Sequence, residues 1–168
     1  MKKKTVRQFK KSFSIIPAIL WVLLCEGAGM LGSLATFPKI AGWYEGLVRP
    51  TFSPPNWVFG PVWTLLYFLM GVAAYRIWSL GTNKRDVRTL IPLFLIHLGV
   101  NVLWSVVFFG FEQIGGALLV IGVLWAFIAV LTVRFAKLDK TSAYLMIPYL
   151  LWVSFASVLN LALLILNT

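Results

Sequence analysis

Five long stretches of the chain are apolar from end to end, and the segments between them are short, polar and rich in proline or basic residues. The stretches cover residues 14–37, 56–78, 90–111, 115–135 and 142–166. Each reaches the roughly 20 residues that a helix needs to cross the hydrocarbon core of a bilayer. None alternates between apolar and polar positions, which excludes membrane-barrel strands, and only helices or closed barrels satisfy the backbone inside lipid. The pattern predicts an all-α fold, a single bundle of five transmembrane helices over residues 14–168 behind a basic extension over residues 1–13. The first stretch follows basic residues as a signal peptide would. No small-x-small cleavage site leads from it into a soluble domain, so it is read as a retained span.

Polar and aromatic residues inside these spans fall on stripes. In the second span Trp63, Tyr67 and Met70 lie at i, i+4 and i+7, and in the third His97, Asn101 and Trp104 repeat that spacing. The fifth span carries Trp152, Ala156 and Asn160 on one face. Facing one another, these stripes would enclose a pocket walled by rings and floored by a few amides and hydroxyls. Such a pocket suits a large, flat, mostly apolar ligand, because ring faces supply contact area and sparse polar groups set orientation. Asn101 and Asn160 are read equally as ligand contacts or as hydrogen bonds between helices. His97 could be an axial haem ligand, but a lone histidine is more readily a satisfied bundle residue. Glu26, beside Gly27 and Gly29, could be a proton or cation site, and capping or pairing with a neighbouring helix is preferred. Cys25 counts as a small hydrophobe.

Between the first two spans, residues 38–56 are expected to form a lid. Pro50, Pro54 and Pro55 fix φ and remove backbone donors, which makes the segment stiff and extended. Ala28 and Gly32, with Gly29 and Ser33 beside them, form a small-xxx-small pattern in the first span, used for packing within the bundle or for a homodimer. Pro148 is expected to kink the fifth helix or loosen its first turns.

Composition confirms the class and charge orients it. The chain is 60% hydrophobic and 12% charged, with a mean hydropathy of +0.89, far beyond what a soluble core of 168 residues could absorb. A net charge of +10 would suit nucleic acid, but the basic residues sit in clusters between spans, so nucleic acid is excluded as a partner and the lipid bilayer takes its place. Thirteen lysines and arginines fall on one side and two, Lys39 and Arg49, on the other. The positive-inside rule then puts the N-terminus in the cytoplasm and the lid and C-terminus outside. The sequence holds no paired intramembrane carboxylates, no HExxH, no phosphate loop and no Ser/His/Asp set, and it has too few intramembrane charges for a typical ion-coupled transporter. No metal is expected and no cofactor is required. A binding protein remains.

Three motifs occur in order: WYEGLVRPTFSPPNWVFGPVWTLLYFLMG from Trp43, NVLWSVVFFG from Asn101 and PYLLWVSFASVLN from Pro148. Together they closely resemble the tryptophan-rich sensory protein or translocator protein family, also called the peripheral-type benzodiazepine receptor family. The resemblance implies a five-helix bundle, often a homodimer, in a bacterial inner membrane, with protoporphyrin IX or haem and other flat apolar molecules as ligands under the first loop. Carried over position by position, it implies ligand contacts at Tyr44, Pro54, Trp63, Asn101, Trp104, Trp152, Phe155 and Ala156, with a lid tryptophan at Trp43 or Trp57. It also implies light- and oxygen-dependent porphyrin breakdown as an alternative activity, with Trp63 and Trp152 as the reacting residues; a structural or regulatory partner of other membrane proteins, acting through the small-residue face of the first span, is a second alternative. The chain departs from the resemblance in two places. LNLALLILNT lacks the tyrosine and basic residue of the sterol-recognition pattern, which makes cholesterol a doubtful partner, and Val120 stands where many relatives carry an acid. Lys39 and Arg49, near the mouth, are the expected partners for ligand carboxylates.

Overall fold

The computed structural model describes residues 14–168, so the basic extension over residues 1–13 lies outside it. Five helices account for nearly all of the described chain: α1 Ile15–Lys39, α2 Asn56–Ser79, α3 Arg85–Ser105, α4 Ile114–Leu138 and α5 Lys140–Leu166. All five are long and apolar enough to cross a membrane. The chain is thus an integral membrane protein with the expected all-α, five-helix architecture.

Helix ends differ from the apolar runs in an instructive way. α1 continues through Pro38 into a π-helical turn, Ile40–Tyr44, and α3 continues into a second one, Val106–Gly110. The expected lid over 38–56 therefore begins as helix, and only residues 45–55 cross between α1 and α2. Proline in a last helical turn removes one backbone bond and displaces the carbonyl four residues back, and a widened π turn accommodates that displacement. At the other end of the bundle α3 starts at Arg85, five residues before the apolar run. Hydropathy marks where lipid begins, whereas a helix is free to begin in the headgroup region. α5 passes Pro148 as one continuous helix of 27 residues, so the proline does not unwind its first turns.

Packing is dense at the end where α2 finishes and α5 starts. Met70, Ile77, Phe94, Ile128, Leu131, Phe135 and Met146 are fully buried there. Gly71 lets α1 touch α2 backbone to backbone, since a Cβ at that position would come 2.6 Å from Val22 Cα. Ala28 and Gly32 are buried within this same bundle, Gly32 against Ser105 of α3. Ala28 and Gly32 are thus used for packing inside the protomer, which is one of the two expected uses of the pattern.

Polar fasteners hold the connections. Asp139 caps α5 by accepting from the Ser142 amide at 3.1 Å and hydroxyl at 2.6 Å, and it receives Arg76 Nε and Nη2 at 2.7 and 3.0 Å. The Arg76 guanidinium, helped by Ser142, holds the Asp139 carboxyl down at about 2. At the opposite end Lys39 pairs with Glu112 at 2.7 Å. Glu112 sits in the turn between α3 and α4 with φ 57, a left-handed conformation that a glutamate adopts only when its surroundings fix it.

Candidate functional site

Aromatic side chains on α1, α2, α3 and α5 surround a cavity of about 420 Å³. That is within the range of small-molecule sites. Of the residues singled out from the sequence, Tyr44, Trp63, Asn101, Trp104, Trp152 and Ala156 line it, and Tyr67 and Asn160 join them. Ring contacts fix the walls. Trp63 packs on Tyr67 at 5.6 Å and Tyr149 at 6.2 Å, Trp104 stacks on Phe108 at 5.3 Å, and Phe59 meets Trp152 edge-on at 5.9 Å. Such contacts combine area burial with defined geometry.

Two residues expected at the cavity stand behind it. Phe155 is one residue from Ala156, about 100° around the helix, and packs between Trp152 at 5.6 Å and Phe52 of the lid at 6.3 Å. Pro54 is half-buried in the lid and does not line the cavity. Both act on the site indirectly, Phe155 by bracing Trp152 and Pro54 by stiffening the loop. Trp43 lies behind the wall, packed on Phe108 and Phe109 at 5.5 and 6.3 Å, while Trp57 lies at the rim, 75% exposed.

The lid is tied down by a residue that carries no local sequence signal. Asn167 accepts from the Val48 amide at 2.9 Å and donates back to the Val48 carbonyl at 3.0 Å. Arg49 donates to Asn56 Oδ1 at 3.1 Å and lies over the Tyr44 ring at 5.8 Å. Neither Arg49 nor Lys39 lines the cavity, and each has a partner within the chain, Asn56 and Glu112 respectively. A side opening remains. Met30 and Phe37 of α1 and Trp57 of α2 line the cavity while 70%, 72% and 75% exposed, which opens it between α1 and α2 onto the lipid-facing surface.

At the floor, one backbone carbonyl fixes the direction of a whole hydrogen-bond chain. The Phe94 carbonyl can only accept, so the nearby His97 Nδ1, at 3.3 Å, carries the proton of the neutral ring. His97 Nε2 is then the acceptor for the Tyr149 hydroxyl at 3.0 Å. Tyr149 in turn accepts from Asn101 Nδ2 at 2.6 Å, which leaves Asn101 Oδ1 to accept from Tyr67 at 2.5 Å. Asn160 is similarly engaged, accepting from Trp104 Nε1 at 3.3 Å and donating to the Ile114 carbonyl at 3.0 Å. Both amides thus join helices, which was one of the two readings. Both His97 nitrogens are taken and the ring is fully buried, so no axial haem ligand is available from it.

Glu26 differs. It lines the cavity and, among the described residues, has neither the cap nor the pair expected of it. No group of three or more potential metal ligands occurs among the described residues.

Comparison with known proteins matches this architecture. The model of the TspO/MBR family covers residues 21–166. The chain is 42% identical over 154 residues to "Tryptophan-rich protein TspO" of Chlorobaculum tepidum, covering 91% of this chain and 97% of that one. It is 36% identical over 143 residues to "Tryptophan-rich sensory protein" of Cereibacter sphaeroides, covering 83% and 88% respectively. To "Translocator protein" of Homo sapiens it is 34% identical over 146 residues, covering 86% of each. A family match across nearly all of the five-helix bundle, with relatives aligned along most of their own length, leaves one conclusion: the chain belongs to the TspO/MBR family of membrane proteins.

Proposed function

We propose that this protein binds porphyrin-type tetrapyrroles such as protoporphyrin IX, and other flat apolar molecules, in the cavity beneath the 45–55 lid, and so senses, sequesters or moves them. The observation that carries the reading is the cavity itself, about 420 Å³ with Tyr44, Trp63, Trp104 and Trp152 in its walls. Its opening between α1 and α2 gives a membrane-dissolved ligand a route that avoids water. Haem would be held without an axial bond from His97, which is engaged. In this reading the protein lies in a bacterial inner membrane, and the positive-inside count supports its N-terminus in the cytoplasm and its C-terminus outside. A homodimer belongs to the reading, on a face other than Ala28 and Gly32. Titration of the detergent-solubilised protein with protoporphyrin IX tests the proposal. Tryptophan emission should be quenched saturably, and much less in a Trp63→Ala, Trp152→Ala double variant; equal quenching in both proteins would rule out these walls as the site.

A second reading, light- and oxygen-dependent breakdown of the bound porphyrin, is favoured by one observation. Trp63 and Trp152 both face the cavity, where an excited macrocycle would contact oxidisable indoles. Under illumination the porphyrin's main absorption band should fade faster in the complex than free in detergent, and Trp152→Phe should slow that loss. Equal rates would remove this reading.

A further inference from the structure

Most polar groups around the cavity are already engaged. Asn101 and Asn160 use both ends of their amides on other helices. The Ser33, Thr36 and Thr64 hydroxyls each donate to the carbonyl four residues back. Asn56 accepts from Arg49. Glu26 is the one charged residue in the lining, and it has no partner among the described residues. It lies about 16 Å along α1 from Ile15, well inside the hydrocarbon layer. An ionisable side chain at that depth usually faces the bundle interior and finds a partner. In this cavity the partner has to be brought by the ligand.

We infer that Glu26 is a specificity-determining residue, selecting planar aromatic ligands that present a nitrogen N–H donor, above all a protonated amine, to the deep end of the cavity. A carboxyl group always offers an acceptor oxygen to an N–H, and as a carboxylate it forms the stronger charge-assisted bond with a cation. Anions are disfavoured at the same place for the same reason. The Trp152 indole N–H, buried and without a partner, is available to an acceptor on the same ligand. Together the two groups set polarity along the cavity, with a donor end towards Glu26 and any acid groups kept towards the lid.

This inference rests on the cavity being a ligand site, and the probes separate the two claims. Three tricyclic molecules of matched shape serve: 9-aminoacridine, a cation at neutral pH, anthracene, which is neutral, and anthracene-9-carboxylate, an anion. Affinities are measured by tryptophan quenching in detergent. The intact protein should bind the cation about tenfold or more tighter than the hydrocarbon. Glu26→Gln should remove that advantage and leave anthracene within about twofold, Glu26→Asp should retain part of it, and Glu26→Lys should transfer the preference to the carboxylate. Unchanged preference in Glu26→Gln and Glu26→Lys, with anthracene still binding, would overturn the role of Glu26. Failure of all three probes to bind the intact protein would overturn the ligand site itself and the inference with it.

Discussion

At the Arg76 end of the bundle Met70, Ile77, Phe94, Leu131 and Phe135 interlock with no exposed surface, while at the lid end Tyr44, Trp63, Trp104 and Trp152 stand around a space of about 420 Å³. Both ends are apolar, so hydrophobicity does not distinguish them. Backbone spacing does. Gly71 brings α1 into contact with α2 at Val22, and branched or flexible side chains fill what is left. Towards the lid the rings meet edge to face across helices, as in Trp43 with Phe108 and Phe59 with Trp152, and flat, stiff groups packed this way hold helices apart. The floor between the two halves is the Tyr67–Asn101–Tyr149–His97 chain, which fixes α2, α3 and α5 in place. One end holds the helices and the other uses the room they leave.

The largest expected effect comes from attacking the held end. Gly71→Val would drive a side chain into the Val22 backbone, which cannot move aside cheaply, and should cost about 1–3 kcal/mol or prevent assembly. Size-exclusion profiles and thermal unfolding in detergent report it. Gly60, at the cavity rim and inside α2, has nothing within 4 Å of an added Cβ, so Gly60→Ala should leave the unfolding temperature unchanged or slightly raised. If both variants behave alike, the two ends do not differ as described.

A smaller effect is expected from the floor. Tyr149→Phe leaves His97 Nε2 and one Asn101 donor without a partner, and buried polar groups between membrane helices contribute about 0.6–2 kcal/mol each. Thermal unfolding should show that loss, accompanied by weaker porphyrin quenching because the ring on which Trp63 rests loses the two hydrogen bonds that position it. A lowered unfolding temperature with unaltered ligand affinity would separate the floor from the cavity.

The smallest effect lies at the edge of the held end. Asp139→Ala removes the α5 cap at a cost of about 1 kcal/mol. The ion pair adds little, because Arg76 is 40% exposed and water screens it. Since the folded protein holds the Asp139 carboxyl down at about 2 against an ordinary 3.8, its contribution is complete above the ordinary value and disappears as pH falls through about 2. Unfolding temperatures of the intact protein and the Asp139→Ala variant should therefore differ at neutral pH and converge in strong acid.

Much of this was legible in the residues before any coordinates. The five spans were, because each is a continuous apolar run, and so were Trp63, Asn101, Trp104, Trp152 and Ala156 as lining residues, because helical spacing put them on common faces. Helix ends were less so, since the apolar pattern reports the membrane and cannot see α1 continue to Tyr44 or α3 begin at Arg85. Partners were not legible at all. That Asn101 would be occupied by Tyr67 and Tyr149, 34 and 48 residues away, depends on how three helices are rotated. The Asn167 clamp on Val48, 119 residues away, has no local sequence signal either.

One measurement bears most directly on the claim that the lid end is hollow for a ligand. The same substitution is placed in each half, Ala156→Phe in the cavity wall and Ala73→Phe in the fully buried core, and protoporphyrin IX affinity is measured beside thermal unfolding. Ala156→Phe should keep its unfolding temperature within a few degrees while affinity drops about tenfold or more, and Ala73→Phe should fail to fold stably. Full affinity in a folded Ala156→Phe protein would contradict that claim.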